Sequence, residues 1–133
     1  MSKKEEDLQM PSRDIKVKIG TNEYTIKFPT NGQLIDMESL KIQMTSGANK
    51  EMLFGTASAR EAYLINEAVA TFQVLIPDLK KDLEVKSLLD LDPLQSKSIH
   101  KAYEKYYNWM EEWRKVLNQE EKKEEDDTKG ASA

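Results

Sequence analysis

The sequence predicts an α+β fold that is mostly α: an N-terminal β-hairpin followed by a bundle of about three main helices, the last of them long. Two patterns predict this class. Apolar and polar residues alternate on both sides of a turn within residues 15–28, which is the period of half-buried strands. From Ile99 to Leu117 apolar residues recur at three- and four-residue spacing, which is the period of an amphipathic helix. A length of 133 residues indicates one domain, expected over residues 14–119.

The hairpin is expected over residues 14–28, with turn residues at 20–23 between its two strands. Pro29 closes the second strand because proline cannot donate to a strand ladder. A lone hairpin is only marginally stable in water, so it must lie on the helices or pair with strands of another chain. Residues 1–13 are charged and lack periodicity, which predicts a disordered lead-in.

The main helices are expected at about residues 31–45, 58–76 and 93–119. Each begins with side chains spaced to form a capping box: Thr30 and Gln33, Ser58 and Glu61, and Asp92 and Gln95. Pro77 ends the second helix because it lacks an amide hydrogen. Residues 79–83 and 87–91 indicate single helical turns. The apolar segment at 49–56 fits either a docked loop or a short helical turn.

The C-terminal segment, residues 120–133, is strongly acidic. It has six acidic residues and three lysines, and so carries −3 of the net charge of −4. Charge runs of this kind are typical of a solvated, disordered tail. A nearly neutral domain with an acidic tail also disfavours nucleic acid as a partner.

Residues that carry chemistry are scarce. There is no cysteine, and His100, the single histidine, has no second imidazole or thiolate with which to bind a metal. We interpret it as a surface or boundary residue. The five glycines form no phosphate loop or dinucleotide-binding motif. We therefore expect no enzyme activity, no catalytic residue, no cofactor, no metal site and no small-molecule substrate.

No apolar run approaches the roughly 20 residues that span a bilayer, and the N-terminus lacks a hydrophobic signal core. The polar face of the last helix is not basic, which also disfavours binding to a membrane surface. We therefore expect an intracellular protein with no membrane partner.

The last helix carries most of the large aromatic residues. We expect Tyr103, Tyr106 and Trp109 to be part of the core, because the rest of the chain has few large side chains. The candidates for contact with a partner lie off the core stripe or toward the far end of the helix: Tyr107, Trp113, Val116 and Leu117.

One arrangement of segments resembles a known family. The segments are YTIKFPTNGQLID at 24–36, ESLK at 38–41, LIPDLKKDL at 75–83, LDLDP at 89–93, and the helix with Trp109 and Trp113. Over residues 14–118 the chain resembles the tail assembly chaperones of tailed bacteriophages. The resemblance implies a non-enzymatic protein in the host cell cytoplasm that binds a helical client. The implied client is the tape-measure protein, which such chaperones keep soluble while tail-tube subunits polymerise around it. Whether a frameshifted longer form exists stays open.

Two other functions remain as alternatives. The chain fits a structural component of the virion, in the tail, neck or capsid, whose hairpin adds to the sheet of a neighbour or of a second copy. It also fits a host-directed regulator that uses its acidic tail as a nucleic-acid mimic. The expected partner is therefore a phage protein, such as the tape-measure protein or a tail component, or the chain itself.

Overall fold

Two antiparallel strands and five α-helices form the part of the chain that the structure describes, which confirms the predicted α+β, mostly α class. A computed structural model describes the backbone of residues 10–132 and the side chains of residues 10–48 and 51–122. Most of the predicted lead-in, residues 1–9, and the last residue lie outside the described residues. The elements are β1 (Asp14–Ile19), β2 (Asn22–Lys27), α1 (Asn31–Met44), α2 (Asn49–Leu53), α3 (Ala57–Leu75), α4 (Leu79–Asp82), a 3-10 turn (Leu88–Asp90) and α5 (Lys97–Ser132).

The predicted hairpin is confirmed, with a tighter turn than expected. Its register runs from Asp14 opposite Lys27 to Ile19 opposite Asn22, so that only Gly20 and Thr21 form the turn. Gly20 has a φ of +64°, a left-handed conformation that glycine adopts without steric cost. Asn22 and Glu23, which the sequence predicts to be turn residues, are the first two residues of β2.

The hairpin lies on the helices, the first of the two arrangements that its marginal stability allowed. β1 packs against α5, and Val17, Ile19 and Ile26 are at most 2% exposed. They join one core with the inner faces of α3 and α5. Its buried members are Val17, Ile19, Ile26, Ala68, Val69, Phe72, Ile76, Leu79, Leu88, Ile99, Ala102, Tyr106, Trp109 and Trp113. The expectation that Tyr106 and Trp109 belong to the core is confirmed, whereas Tyr103 is only partly buried and packs against it.

The first helix begins as its sequence predicted. The Gln33 amide donates to Thr30 Oγ1 at 3.1 Å, and the Thr30 amide donates to Gln33 Oε1 at 2.9 Å. This is a complete capping box. The open question about residues 49–56 is also answered, since Asn49–Leu53 forms a short helix.

The predicted cap of the third helix is wrong. Thr56, not Ser58, is the N-cap, and its Oγ1 accepts a hydrogen bond from the Ala59 amide at 3.2 Å. Thr56 has the extended backbone that an N-cap requires (φ −66°, ψ 167°), whereas Ser58 is already helical. The helix ends at Leu75, one residue before the predicted bound, and Ile76 is its C-cap before Pro77.

The last helix differs from prediction at both ends. Asp92 and Gln95 form the expected reciprocal hydrogen bonds, at 2.8 and 3.0 Å, but residues 93–96 are a turn and α5 begins at Lys97. It continues to Ser132, so the backbone of the predicted disordered tail is helical up to that residue. Glutamate and lysine are strong helix formers, and no glycine or proline interrupts the chain between Lys97 and Gly130.

The C-terminal part of the predicted lead-in is also held in place. The backbone oxygen of Ser12 accepts hydrogen bonds from Trp109 Nε1 at 2.8 Å and from Trp113 Nε1 at 3.1 Å. The reason is that a buried indole N–H needs an acceptor, and the helix that carries the two rings offers none.

Candidate protein-binding cleft

An aromatic cleft opens between α2, α3 and α5, with a volume of about 550 Å³. We call it the α2–α3–α5 cleft. The residues that line it are Leu53, Tyr63, Leu64, Glu67, His100, Tyr103, Glu104 and Tyr107.

Helical spacing explains why these residues meet. The four that α5 contributes, at positions 100, 103, 104 and 107, follow the spacing that places side chains on one face of a helix. This face lies beside the buried stripe of α5, and Tyr103 belongs to the boundary between them. On α3, Tyr63 and Glu67 are one turn apart. The short helix α2 supplies Leu53 and so forms the third wall.

Large apolar side chains remain in water at the mouth of the cleft. Leu53 is 37% exposed, Leu64 52% and Tyr107 50%, and Phe54, next to Leu53 in the chain, is 82% exposed. Single exposed apolar residues are common on protein surfaces, but several around one concavity are typical of an interaction site.

The floor of the cleft is polar as well as aromatic. The ring of Tyr103 packs edge-on against the buried Phe72, with 6.3 Å between centroids, and lies 6.4 Å from the ring of Tyr107. Its hydroxyl lies close to the Glu67 carboxylate. Burial, together with the nearby Glu67 carboxylate, raises the pKa of the Tyr103 hydroxyl far above its usual value.

Lys41 of α1, which is not a wall of the cleft, forms an ion pair with Glu67. Its Nζ lies 2.9 Å from Glu38 Oε2, 3.4 Å from Glu67 Oε1 and 5.8 Å from the centroid of the Tyr63 ring. Burial by itself would lower the pKa of Lys41. The hydrogen bond with Glu38 and the charge of Glu67 outweigh that effect and raise the pKa. Since Glu104 has no ion pair among the described residues, it is the uncompensated carboxylate of the cleft.

The four predicted contact residues do not form one surface. Tyr107 lines the cleft, whereas Trp113 is only 7% exposed. The Trp113 ring lies 4.7 Å from that of Phe28 and its N–H is bonded to Ser12, so Trp113 is a core residue; this corrects its selection as an accessible contact. Val116 is half-buried and Leu117 is 52% exposed. Both lie roughly 15 Å further along α5 than Tyr107, outside the cleft, and they stay predictions.

Sequence reasoning did not select Leu53 or Leu64 for the site. The signal for Leu53 was the apolar segment Met52-Leu53-Phe54, whose residues had no place in a helical stripe. Leu64 had no signal of its own, because it lies next to the buried stripe of α3 and its exposure depends on how the helices pack.

The described residues give no indication of metal or membrane chemistry. No cluster of three metal-binding side chains occurs in this part of the chain, and His100 is exposed, as predicted. None of the helices in the same residues has the length and apolar character needed to cross a membrane. Comparison with protein families, with curated proteins and with solved structures found no match.

Proposed function

We propose that this chain is a non-enzymatic binding protein that holds an amphipathic helix of a client protein in the α2–α3–α5 cleft. The observation that carries the proposal is the group of exposed apolar side chains, Leu53, Leu64 and Tyr107, around a cavity of about 550 Å³. A concavity of this size between helices is suited to helix-in-groove recognition, in which a client inserts apolar anchor residues.

The charges around the cleft specify the client further. Glu104 lines the cleft without an ion pair in the described structure, and Glu51 is exposed on the α2 wall. A client helix with apolar anchors flanked by lysine or arginine would therefore be complementary to it. A helix flanked by acidic residues would be repelled, which gives the cleft selectivity.

The resemblance to tail assembly chaperones supports one client in particular. We propose that the client is the tape-measure protein of a tailed bacteriophage, bound in the host cell cytoplasm before tail-tube polymerisation. The apolar rim of the cleft would cover part of the client, while the charged outer faces of α3 and α5 keep the complex in solution.

The test is capture of the client by matched variants. The tagged chain is purified from infected cells, and its partners, together with purified virions, are identified by mass spectrometry. Leu64→Asp places a charge at the mouth of the cleft, and we expect it to reduce client capture by roughly tenfold, the effect of about 1.4 kcal/mol of binding free energy. Leu94→Asp is the control, because Leu94 is 85% exposed and lies outside the cleft.

The outcomes separate the alternatives. Recovery of a long, helix-rich phage protein that Leu64→Asp loses and Leu94→Asp retains would support the proposal. Equal capture by both variants would show that the cleft is not the binding site. Recovery of this chain at fixed copy number in virions would make it a structural component instead.

A further inference from the structure

The hairpin leaves one of its two edges open. Phe28 N donates to Arg13 O at 2.8 Å, and hydrogen-bonded pairs alternate along an antiparallel ladder. The peptide groups of Glu23, Thr25 and Lys27 therefore point away from β1. Among the described residues, no other group forms a hydrogen bond with these peptide groups.

The two edges of the hairpin differ, because the β1 edge is in contact with α5. β1 lies against α5, and Lys105 Nζ of that helix is 2.5 Å from the backbone oxygen of Lys16 on the outer edge of β1. No side chain in the described structure forms a hydrogen bond with the outward peptide groups of β2, and the side chains of Glu23, Thr25 and Lys27 are all exposed. An open edge of this kind is a template for another strand.

The charges on the solvent face already alternate across the hairpin. Lys18 is opposite Glu23, and Asp14 is opposite Lys27. Each of these two facing pairs forms a row of side chains across the strands. At the β2 edge one row ends in a negative charge, at position 23, and the other in a positive charge, at position 27. Thr25 lies midway between the two.

We propose that β2 pairs with β2 of a second copy of this chain, antiparallel and centred on Thr25. In this register Glu23 lies opposite Lys27 of the second copy, and the symmetry repeats the pair. Across the four strands each row then contains Lys18 and Glu23 of one copy, followed by Lys27 and Asp14 of the other. Opposite charges in directly facing positions stabilise a sheet, and the backbone groups of all three residues are paired.

Other registers do not give this match. Only positions 23, 25 and 27 have outward peptide groups, so the register changes in steps of two residues. A step toward the turn puts Glu23 opposite Thr25 and separates the unlike charges. A step the other way puts Glu23 opposite Pro29, which has no N–H to donate. The inference is independent of the proposed function, because β2 lies outside the cleft.

Two charge-reversal variants test the pairing directly. Glu23→Lys gives each chain two lysines at the edge, and Lys27→Glu gives each chain two glutamates. We expect both to be monomeric at concentrations where the natural chain dimerises, and an equimolar mixture of the two to form a heterodimer. Sedimentation equilibrium is measured from about 10 μM to about 1 mM, the range suited to a small interface. Circular dichroism confirms that each variant is folded.

Controls and outcomes are specific to the edge. Glu112→Lys and Lys115→Glu make the same charge changes at exposed positions of α5, and we expect them to leave dimerisation unchanged. Leu64→Asp should also leave it unchanged, so failure of this inference and failure of the cleft are distinguishable. A natural chain that stays monomeric throughout the range overturns the proposal. So does a mixture of the two variants that associates no more than either one alone.

Discussion

The Ser12 backbone oxygen, which accepts from two indoles, provides the sharpest test of how the chain is held together. Trp109 and Trp113 are 5% and 7% exposed, and both N–H groups donate to the same oxygen, at 2.8 and 3.1 Å. Replacing either tryptophan by phenylalanine removes one hydrogen bond, worth about 1 kcal/mol. It also removes part of the buried ring, worth about 1 kcal/mol at roughly 25 cal/mol per Å².

Each single substitution should therefore lower the free energy of unfolding by about 2 kcal/mol. We expect the double variant to lose about 0.5 kcal/mol more than the sum, because only the second substitution leaves the shared oxygen without a protein donor. The assay is urea unfolding followed by circular dichroism, since the double variant has no tryptophan. Each single variant should shift the midpoint by roughly 1 M, given a slope near 2 kcal/mol per M.

Ser12→Ala is the control, because it keeps the backbone oxygen and removes an exposed hydroxyl whose two hydrogen bonds with Asp14 are long, at 3.3 Å, and lie in water. It should change the free energy of unfolding by less than about 0.5 kcal/mol. The reasoning is refuted if each tryptophan variant loses no more than the area contribution of about 1 kcal/mol. A double variant whose loss equals the sum would show that the two bonds do not share their acceptor.

Three further predictions address local features of the fold. Burial raises the pKa of Tyr106 to about 12 and also raises that of Tyr103, so both hydroxyls favour the protonated form in the folded state. Their contribution to stability is complete below pH 10 and is lost as the pH rises from there. The midpoint temperature of thermal unfolding, measured from pH 9 to 12, should therefore fall steeply above about pH 10. Thr56→Ala should cost about 1 kcal/mol in urea unfolding because it removes the N-cap, whereas Ser58→Ala should cost less than about 0.5 kcal/mol. Gly20→Ala should cost about 1 kcal/mol in the same assay because of the positive φ, and an unchanged stability would show that the turn relaxes.

Most of the fold followed from local patterns in the sequence. Alternation predicted the hairpin, and helical periodicity with Pro29 and Pro77 as breakers predicted the first two main helices to within one residue of their bounds. The last main helix begins four residues later than predicted and continues past residue 119 to Ser132. These signals are local, because a strand or helix shows its buried face in its own spacing. The prediction of the N-cap of α3 was wrong for a local reason as well. Thr56 and Ser58 can both act as caps and lie two positions apart, and the sequence does not indicate which of them has the extended backbone.

The candidate site was less predictable, because it depends on contacts between distant segments. Trp113 had the appearance of a residue near a projecting helix end, but Ser12 and Phe28 cover it from the other end of the chain. Leu64 is 52% exposed although it lies next to the buried stripe of α3. Burial of such residues is set by tertiary packing, which periodicity along one helix does not contain.

A polar floor explains why the α2–α3–α5 cleft stays open instead of collapsing onto its exposed leucines. Lys41 and Glu67 form an ion pair whose side chains are only 12% and 23% exposed, and the Tyr103 hydroxyl lies close to the same carboxylate. Closing α2 over them would remove these charges further from water, at a cost that burial of Leu53 and Leu64 would not offset. In the proposed function, a client would instead place its own cation beside Glu104 and cover the two leucines.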